Sequence, residues 1–324
     1  MRSLLDFQEI INQHIANQNF NRFPSELYDP IAYTMTQGGK RLRPLLTLMT
    51  CDLFGGNLVH AIHPALALEV FHNFTLVHDD IMDQAPLRRG RETVYKKWNS
   101  NIAILSGDTM FAMAYQYAIQ TEDQYVPKIL RVFNKAAIEV CEGQQLDMNF
   151  EVITQVNLDE YLEMIQLKTA VLIGVSIQIG AIIGNASDED MKLMYDFGIQ
   201  LGIAFQIKDD LLDLYGSEKY FGKKTGGDIL ANKKTYLFLK ALEQCHNSDK
   251  QALIDLYNDN QMKDDLKISK VKAIFDQLQI EIVVESIMQD YYKHAVEILD
   301  SIQIEKNKKS VLFSFITSMF KRDY

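Results

Sequence analysis

The sequence contains little proline and glycine, few cysteines and no long uninterrupted apolar run. Six Pro and 16 Gly among 324 residues, with many Leu, Ile, Ala, Glu, Lys and Gln, favour helix over sheet. The cysteines, Cys51, Cys141 and Cys245, are odd in number, far apart and without C-x-x-C spacing. This argues against a disulfide framework and a zinc site, and it indicates a reducing cytoplasm.

The charge balance and the hydropathy exclude further classes of protein. A net charge of −10 at pH 7 argues against general nucleic-acid binding, which needs a broad basic surface. Residues 1–13 include Arg2, Asp6 and Glu9 and lack the apolar centre of a signal peptide, so we expect no export signal. The most apolar stretch, 170–184, is interrupted by polar residues and is shorter than the roughly 20 residues of a membrane span. We expect it to be a buried core helix.

Apolar residues recur at intervals of three and four along most of the chain, which predicts amphipathic helices. Strand-like alternation with hairpin signals and Pro/Gly/Ser-rich linkers are absent from the sequence. The length would also allow two domains, but we expect residues 1–324 to form a single-domain, all-α helical bundle around a central cavity. One predicted helix begins at Pro64, and another runs without interruption from Leu158 to Gly184.

An aspartate motif, Asp79-Asp80-Ile81-Met82-Asp83, ends the helix that Pro64 is predicted to begin. Asp79 and Asp83 are one helical turn apart, and like charges at this spacing repel unless a cation lies among them. Mg²⁺ typically takes one or two carboxylates together with substrate phosphates. An isolated motif of this kind is more often a solvated helix end, but a second copy occurs at Asp209-Asp210-Leu211-Leu212-Asp213.

Basic groups accompany both aspartate motifs. Leu87-Arg88-Arg89-Gly90 follows the first motif, and lysine-rich segments at 222–228 and 232–235 follow the second. Upstream, Gly38-Gly39-Lys40-Arg41-Leu42-Arg43-Pro44 combines cations at a helix start with glycines that allow close backbone approach, which suits a diphosphate. Alone, this segment could equally be a solvated basic helix start.

Two single residues have less common positions. Lys168, beside Thr169, is a cation within a long apolar stretch, which favours pairing with a negative group over snorkelling to solvent. His72 precedes Asp79 by two helical turns on nearly the same face, although a lone histidine there is ordinarily a core residue.

These ordered motifs resemble those of the trans-isoprenyl diphosphate synthases of the polyprenyl synthetase family. The resemblance rests on Gly38–Pro44, Asp79–Asp83, Leu87–Gly90, Lys168-Thr169 and Phe205–Asp213, which occur in the family's order. It implies an all-α bundle of the isoprenoid synthase type, usually a homodimer. It also implies Mg²⁺-dependent, head-to-tail condensation of isopentenyl diphosphate with an allylic diphosphate.

The resemblance further implies roles for individual residues. Mg²⁺, three ions per active site, would be held on the allylic diphosphate by Asp79, Asp80, Asp83, Asp209, Asp210 and Asp213. The remaining oxygens of that diphosphate would be bound by Arg88, Lys168 and Lys233, and Lys223 matches a further substrate-binding lysine. Isopentenyl diphosphate would be bound by Lys40, Arg43, His72 and Arg89. Thr169 and Gln206 would stabilise the allylic carbocation as dipoles, and the departing diphosphate would accept the proton.

Product length in this family depends on the residues below the first motif. Phe74, the fifth residue before Asp79, is bulky and Thr75 is small, a pattern that resembles geranylgeranyl diphosphate synthases. On an ideal helix Phe74 lies roughly 140° from Asp79, so Phe71 is a further candidate for the floor of the cavity. We expect a twenty-carbon product, with the fifteen-carbon farnesyl product as the alternative.

Two other functions remain alternatives. A class I terpene cyclase also ionises a diphosphate from a D-D-x-x-D helix, but its second metal motif is of an N-S-E type, unlike Asp209–Asp213. The segment Lys40–Arg43 would have no role in cyclisation. A non-catalytic subunit or an acidic helical binding protein would be free to lose these residues. An EF-hand is excluded because the first motif lacks the spaced ligands and the glycine of that loop.

Overall fold

The structure is a computed structural model that describes residues 2–153, 155–216, 225–259 and 261–320. Within these ranges the chain is helical apart from its loops and one short hairpin, which confirms the predicted all-α class. The elements are, in chain order, α1 Leu4–Ala16, α2 Ser25–Thr36, α3 Leu42–Leu53, α4 Leu58–Met82, β1 Leu87–Arg88, β2 Arg91–Glu92, α5 Val94–Lys97, α6 Ser100–Ala118, α7 Val126–Val152, α8 Leu158–Ile165, a π-helical turn Gln166–Ala170, α9 Val171–Ile183, α10 Asp188–Tyr215, α11 Gly227–Leu230, α12 Tyr236–Gln244, α13 Asn247–Asn258, α14 Asp264–Gln277, α15 Ile280–Ser301 and α16 Lys306–Phe320.

Helix α4 starts at Leu58, so the prediction that this helix begins at Pro64 is wrong. Asn57 caps the helix, because its side chain accepts the Val59 N–H at 3.1 Å. Pro64 lies inside the helix and lacks the N–H that would bond to the His60 carbonyl. The Thr121 hydroxyl donates to that carbonyl instead, at 2.8 Å. A distant residue thus satisfies the group that proline leaves unbonded, and the helix continues.

The helix predicted from Leu158 to Gly184 is also not continuous. A π-helical turn, Gln166–Ala170, separates α8 from α9. Helix α7 approaches this turn so closely that a Cβ at Gly143 would lie 2.2 Å from the backbone nitrogen of Lys168. Because a π turn adds only one residue to the helical repeat, apolar periodicity does not reveal it; such turns are frequent at functional sites.

The chain divides into two compact units. Unit 1 comprises Met1–Lys135, Val175–Tyr195 and Ile302–Thr317, and unit 2 comprises Ala136–Gly174, Asp196–Ser301 and Ser318–Tyr324. In unit 1, α4 packs against α3 and α6. In unit 2, α12 packs against α8 and α15, and α14 packs against α11 and α13. The single domain with a central cavity stays a prediction.

The stretch Leu158–Ile183 is long and apolar enough to cross a membrane, with a mean hydropathy of 1.6 in its most apolar window. However, 72% of that window is buried inside the protein. We therefore interpret it as a core segment.

Candidate active site

The first aspartate motif ends α4, and its carboxylates accept hydrogen bonds from a cation. The Arg88 guanidinium donates from Nε to Asp80 Oδ1 at 2.7 Å and from Nη2 to Asp79 Oδ2 at 3.1 Å. Burial raises the pKa of Asp80 to about 6, although Arg88 opposes this shift. Asp83 is the exposed C-terminal cap of α4. A positive group is thus bound where the repulsion between carboxylates requires one.

A two-residue hairpin brings Arg88 back to the helix end. Strand β1 pairs antiparallel with β2, and the turn residues Arg89 and Gly90 have φ of 53° and 73°. Two successive positive φ values match the twist of paired strands. The sequence shows no hairpin signal, so the prediction that this region lacks paired strands is wrong. The strands are too short to show alternation, and Arg-Gly is not one of the usual turn signals.

His78 anchors the same helix end to α6. Its Nε2 lies 3.1 Å from the carbonyl oxygen of Ile104, so Nε2 must carry the proton and donate it. A Cβ at Gly107 would lie 2.2 Å from this nitrogen, so a glycine is needed to leave room for the ring. The contact fixes the last turn of α4, in which Asp79 directly follows His78. The sequence alone assigned no role to His78 or Gly107.

Gly39 provides space for an arginine in unit 1. Arg89 donates to the Gly38 carbonyl, and a Cβ at Gly39 would lie 2.9 Å from the Arg89 guanidinium. Gly39 also has a φ of 133°, a backbone conformation that favours glycine. Lys40 is exposed beside them. Gly39 therefore allows the Arg89 side chain to approach the backbone closely.

Arg43 and His72 lie within the same group of cations. In the described part of the chain, the Arg43 Nε is buried without a hydrogen-bond partner. Burial, with Arg89 nearby, lowers the pKa of Arg43 to about 10. Burial and the charges of Arg43, Arg89, Arg88 and Arg41 lower the pKa of His72 well below 6.5. His72 is therefore neutral at pH 7, and the arginines carry the positive charge.

The second aspartate motif lies in unit 2, near the end of α10, and its central residue is fixed by hydrogen bonds. Asp210 accepts from the Tyr161 hydroxyl, from Gln206 Nε2 at 3.1 Å and from the Tyr236 N–H at 3.2 Å. Burial and the charge of Asp228 raise the pKa of Asp210 to about 8. A nearby cation would favour the ionised form of this carboxyl.

The other two aspartates of this motif differ in exposure. Asp209 is exposed. The Asp213 carboxylate accepts the Asp228 N–H at 3.0 Å, and its carbonyl accepts the Gly226 N–H at 2.7 Å. Asp213 thus attaches the start of α11 to the motif.

The π turn directs Lys168 and Thr169 to different partners. Lys168 donates to the Asp147 carboxylate, as expected for a cation within an apolar stretch. The Thr169 hydroxyl donates to Gln206 Oε1 at 3.0 Å, and Gln206 in turn donates to Asp210. A continuous path of hydrogen bonds therefore connects the π turn with the second motif.

Lys233 lies in a segment that buried side chains hold in place. The preceding Asn232 has a φ of 56°, and its side-chain oxygen accepts from Lys267 Nζ at 2.6 Å. The Tyr257 hydroxyl donates to the Lys233 carbonyl at 3.1 Å. Lys223, predicted to bind substrate, lies outside the described residues.

These unit 2 groups share a cavity of mixed character. Its lining combines carboxylates, lysines and amide or hydroxyl groups with apolar side chains. The lining residues include Asp147, Phe150, Tyr161, Met164, Ile165, Lys168, Thr169, Gln206, Asp210, Asp228 and Lys233.

An aromatic cluster surrounds the middle of α4 in unit 1. Phe71, which is fully buried, makes edge contacts with Phe74 and Phe133 at ring-centre distances of 5.4 Å. Phe74 lies 5.3 Å from Phe111. The Thr75 hydroxyl donates to a backbone carbonyl of α4. Both phenylalanines therefore belong to the same apolar cluster.

The side chains of the two aspartate motifs can be compared with the ligands that a metal ion prefers. Over the ranges that the structure describes, no three His, Cys, Asp or Glu side chains form a ready-made metal site. The motifs offer only oxygen donors, which suits Mg²⁺, and this ion commonly completes its shell with substrate phosphates and water. Asp79 and Asp80 already bind a cationic group. The residues therefore fit Mg²⁺ that arrives with a diphosphate.

Comparisons with known proteins agree with one another. The profile of the polyprenyl synthetase family matches residues 24–278. The chain is 40% identical, over 303 residues and 91% of either chain, to the geranylgeranyl diphosphate synthase of Sulfolobus acidocaldarius. The crystal structure of a geranylgeranyl pyrophosphate synthase superposes with a TM-score of 0.94 at 41% identity, covering 100% of both chains. The geranylgeranyl pyrophosphate synthetase from Pyrococcus horikoshii Ot3 gives 0.90 at 33% identity, covering 99% of this chain and 97% of that one.

Proposed function

The chain belongs to the polyprenyl synthetase family, and from this premise we propose that it is a short-chain trans-prenyltransferase that makes geranylgeranyl diphosphate. It condenses isopentenyl diphosphate head-to-tail with allylic diphosphates. The observation that carries the proposal is the pairing of Arg88 with Asp79 and Asp80, together with the arginines around His72. Carboxylates for a metal and cations for diphosphates thus occur in one unit.

The metal would be held by the carboxylates of both motifs, Asp79, Asp80, Asp83, Asp209, Asp210 and Asp213. When bound, Mg²⁺ neutralises the charge of the allylic diphosphate and makes it a better leaving group. As the resemblance to the family implies, three Mg²⁺ ions would bind in each active site. Arg88, Lys168, Lys233 and Lys223 bind the remaining oxygens of this diphosphate.

The second substrate, isopentenyl diphosphate, is bound by Lys40, Arg43, His72 and Arg89. The buried, unpaired Nε of Arg43 supports this assignment within the described residues, because an unsatisfied buried donor is costly until it meets an acceptor. A neutral His72 adds a hydrogen bond without adding charge.

The reaction proceeds by ionisation, condensation and elimination. The allylic C–O bond breaks, and its electron pair leaves with the diphosphate. The double bond of isopentenyl diphosphate supplies the electrons of the new C–C bond, and the departing diphosphate accepts the proton that is then lost. Thr169 and Gln206 stabilise the carbocation as dipoles, and their hydrogen bonds hold them in place before the charge develops.

We infer a product of twenty carbons, because the clustered rings of Phe71 and Phe74 would limit the length of a chain growing below the first motif. The name of the Sulfolobus acidocaldarius relative supports this length. A fifteen-carbon product is the alternative outcome.

The protein acts as a cytoplasmic homodimer. Three free cysteines suit a reducing compartment. Ile104 and Leu105 on α6, 45% and 58% exposed, are apolar side chains that a second copy would cover.

Incubation with Mg²⁺, isopentenyl diphosphate and, in turn, dimethylallyl, geranyl and farnesyl diphosphates tests the proposal. We expect condensation with each primer that yields geranylgeranyl diphosphate on chromatography. Diphosphate release without isopentenyl diphosphate would indicate a terpene cyclase instead. No turnover with any primer would indicate a non-catalytic protein.

A further inference from the structure

Glu69 is a buried acid on α4, within the group of arginines in unit 1. It is 2% exposed, and its Oε1 accepts from Arg41 Nη1 at 2.5 Å and from Asn73 Nδ2 at 3.1 Å. A buried ion pair seldom stabilises a fold by itself, because desolvation of both charges offsets their attraction. The pair therefore calls for an explanation beyond stability.

Arg41 is buried, and protein oxygens accept from both terminal nitrogens of its guanidinium. Besides Glu69, it donates from Nη2 to the Met35 carbonyl at 2.7 Å. Its φ of 48° is a left-handed conformation that is unfavourable for a residue other than glycine. Arg41 thus forms its pair with Glu69 from a strained backbone conformation. Its guanidinium binds protein atoms and is not available to a ligand.

Arg43 and Arg89 lie close enough to Glu69 to be influenced by it. Burial lowers the pKa of both guanidiniums, and the charge of Glu69 acts in the opposite direction in each case. Arg89 donates to the Gly38 carbonyl, and the Nε of Arg43 has no partner among the described residues. Glu69 is thus a buried negative charge that partly neutralises a cationic group awaiting an anion.

We propose that Glu69 is a positioning residue that stands in for the negative charge of the substrate. It keeps Arg41, Arg43 and Arg89 together before a diphosphate binds, and it limits how tightly that anion is then held. The inference rests on the proposed function, because it takes Arg43 and Arg89 as diphosphate ligands.

The test uses inorganic diphosphate with the full chain in EDTA, so that the anion reports on the arginines and not on metal at the aspartate motifs. Glu69→Gln keeps an oxygen acceptor for Arg41 and Asn73 but removes the charge. We expect its dissociation constant for diphosphate to fall about tenfold, as the loss of a like charge nearby predicts. We also expect its Tm to fall by several degrees without the anion and to recover most of that loss at saturating diphosphate.

Arg41→Gln should have the opposite effect on affinity. It leaves Glu69 without its positively charged partner, so Glu69 opposes the anion more strongly, and diphosphate should bind about tenfold more weakly. The double variant Glu69→Gln/Arg41→Gln should bind like the wild type to within about threefold, because the two charges are removed together. Asp52→Asn, which removes the acid of the exposed pair with Arg2, is the matched control and should change neither quantity.

A purely structural pair would give a different pattern. Both single variants would then lose stability equally with and without diphosphate, and neither would bind the anion more tightly; that result overturns the inference. If Glu69→Gln does not fold under any condition, the double variant decides, and affinity clearly different from the wild type overturns the inference. If the wild type itself does not bind diphosphate, the proposed function of the cluster fails and the inference fails with it.

Discussion

Gly143 offers the sharpest test of how the backbone positions the candidate active site. A methyl group at this position would lie 2.2 Å from the Lys168 nitrogen and 2.7 Å from the Leu167 carbonyl carbon. These are backbone atoms, so no side-chain rotation can relieve the clash. To restore a contact of 3.4 Å, α7 and the π turn must separate by about 1.2 Å, the difference between 3.4 and 2.2.

Moving α7 away from the π turn disturbs the contacts of the side chains on that turn. It alters the Lys168–Asp147 ion pair and the Thr169–Gln206 hydrogen bond. A displacement of about 1 Å can reduce a rate by roughly 100-fold, so we expect kcat of Gly143→Ala to fall by about that factor. The change in stability should be smaller, because overpacking costs about 1–3 kcal/mol while alanine favours a helix over glycine by about 1 kcal/mol.

The assay is steady-state condensation with saturating isopentenyl and farnesyl diphosphates, alongside thermal unfolding. Glu142→Ala is the matched control, since Glu142 is the exposed neighbour of Gly143 on α7, and it should keep the wild-type kcat. A Gly143→Ala variant with normal kcat would refute the idea that close packing of α7 positions Lys168 and Thr169.

Three further predictions follow from the packing and charges. Replacing Phe71 and Phe74 by Ala should lengthen the product on chromatography and cost about 3–5 kcal/mol per ring; an unchanged product length would remove both from the floor of the cavity. The folded protein keeps His72 neutral, whereas the unfolded chain protonates it near 6.5, so the unfolding free energy should decrease as pH falls below about 6.5. His72→Gln should flatten this slope in urea titrations, and an identical slope would contradict the assignment. Lys208 donates to the last two carbonyls of α16, so Lys208→Met should cost about 1–2 kcal/mol and speed amide exchange there; unchanged exchange would contradict this.

Local signals in the sequence predicted those parts of the fold that depend on neighbouring residues. The apolar spacing of three and four that predicts amphipathic helices is present in residues 25–36, where the structure has α2. A serine followed by acidic residues is a local signal for a helix start, and at the start of α10 the Ser187 side chain accepts the Asp190 N–H at 3.0 Å. Features that depend on distant residues were not predictable in this way. Proline interrupts a helix in most contexts, and the partner that bonds the carbonyl left free by Pro64 is the hydroxyl of Thr121, 61 positions from His60.

The same distinction applies to the candidate active site. Residue type and spacing were sufficient to nominate the aspartates, and the structure adds Arg88 as their partner. The roles of Glu69 and Gly107 depend on contacts with Arg41 and His78, which lie 28 and 29 positions away in the sequence. No local motif marks such pairs, so the sequence did not indicate them. The assignments of substrate and metal ligands stay predictions.

The most direct test of the central claim is the condensation rate of Asp79→Ala as a function of Mg²⁺ concentration, with circular dichroism to verify the fold. If the aspartate motifs hold the metal that activates the allylic diphosphate, kcat should fall by about 1,000-fold, corresponding to roughly 4 kcal/mol of lost stabilisation. The helical spectrum should be unchanged. A variant that condenses at a near-normal rate with an unchanged Mg²⁺ requirement would contradict the claim.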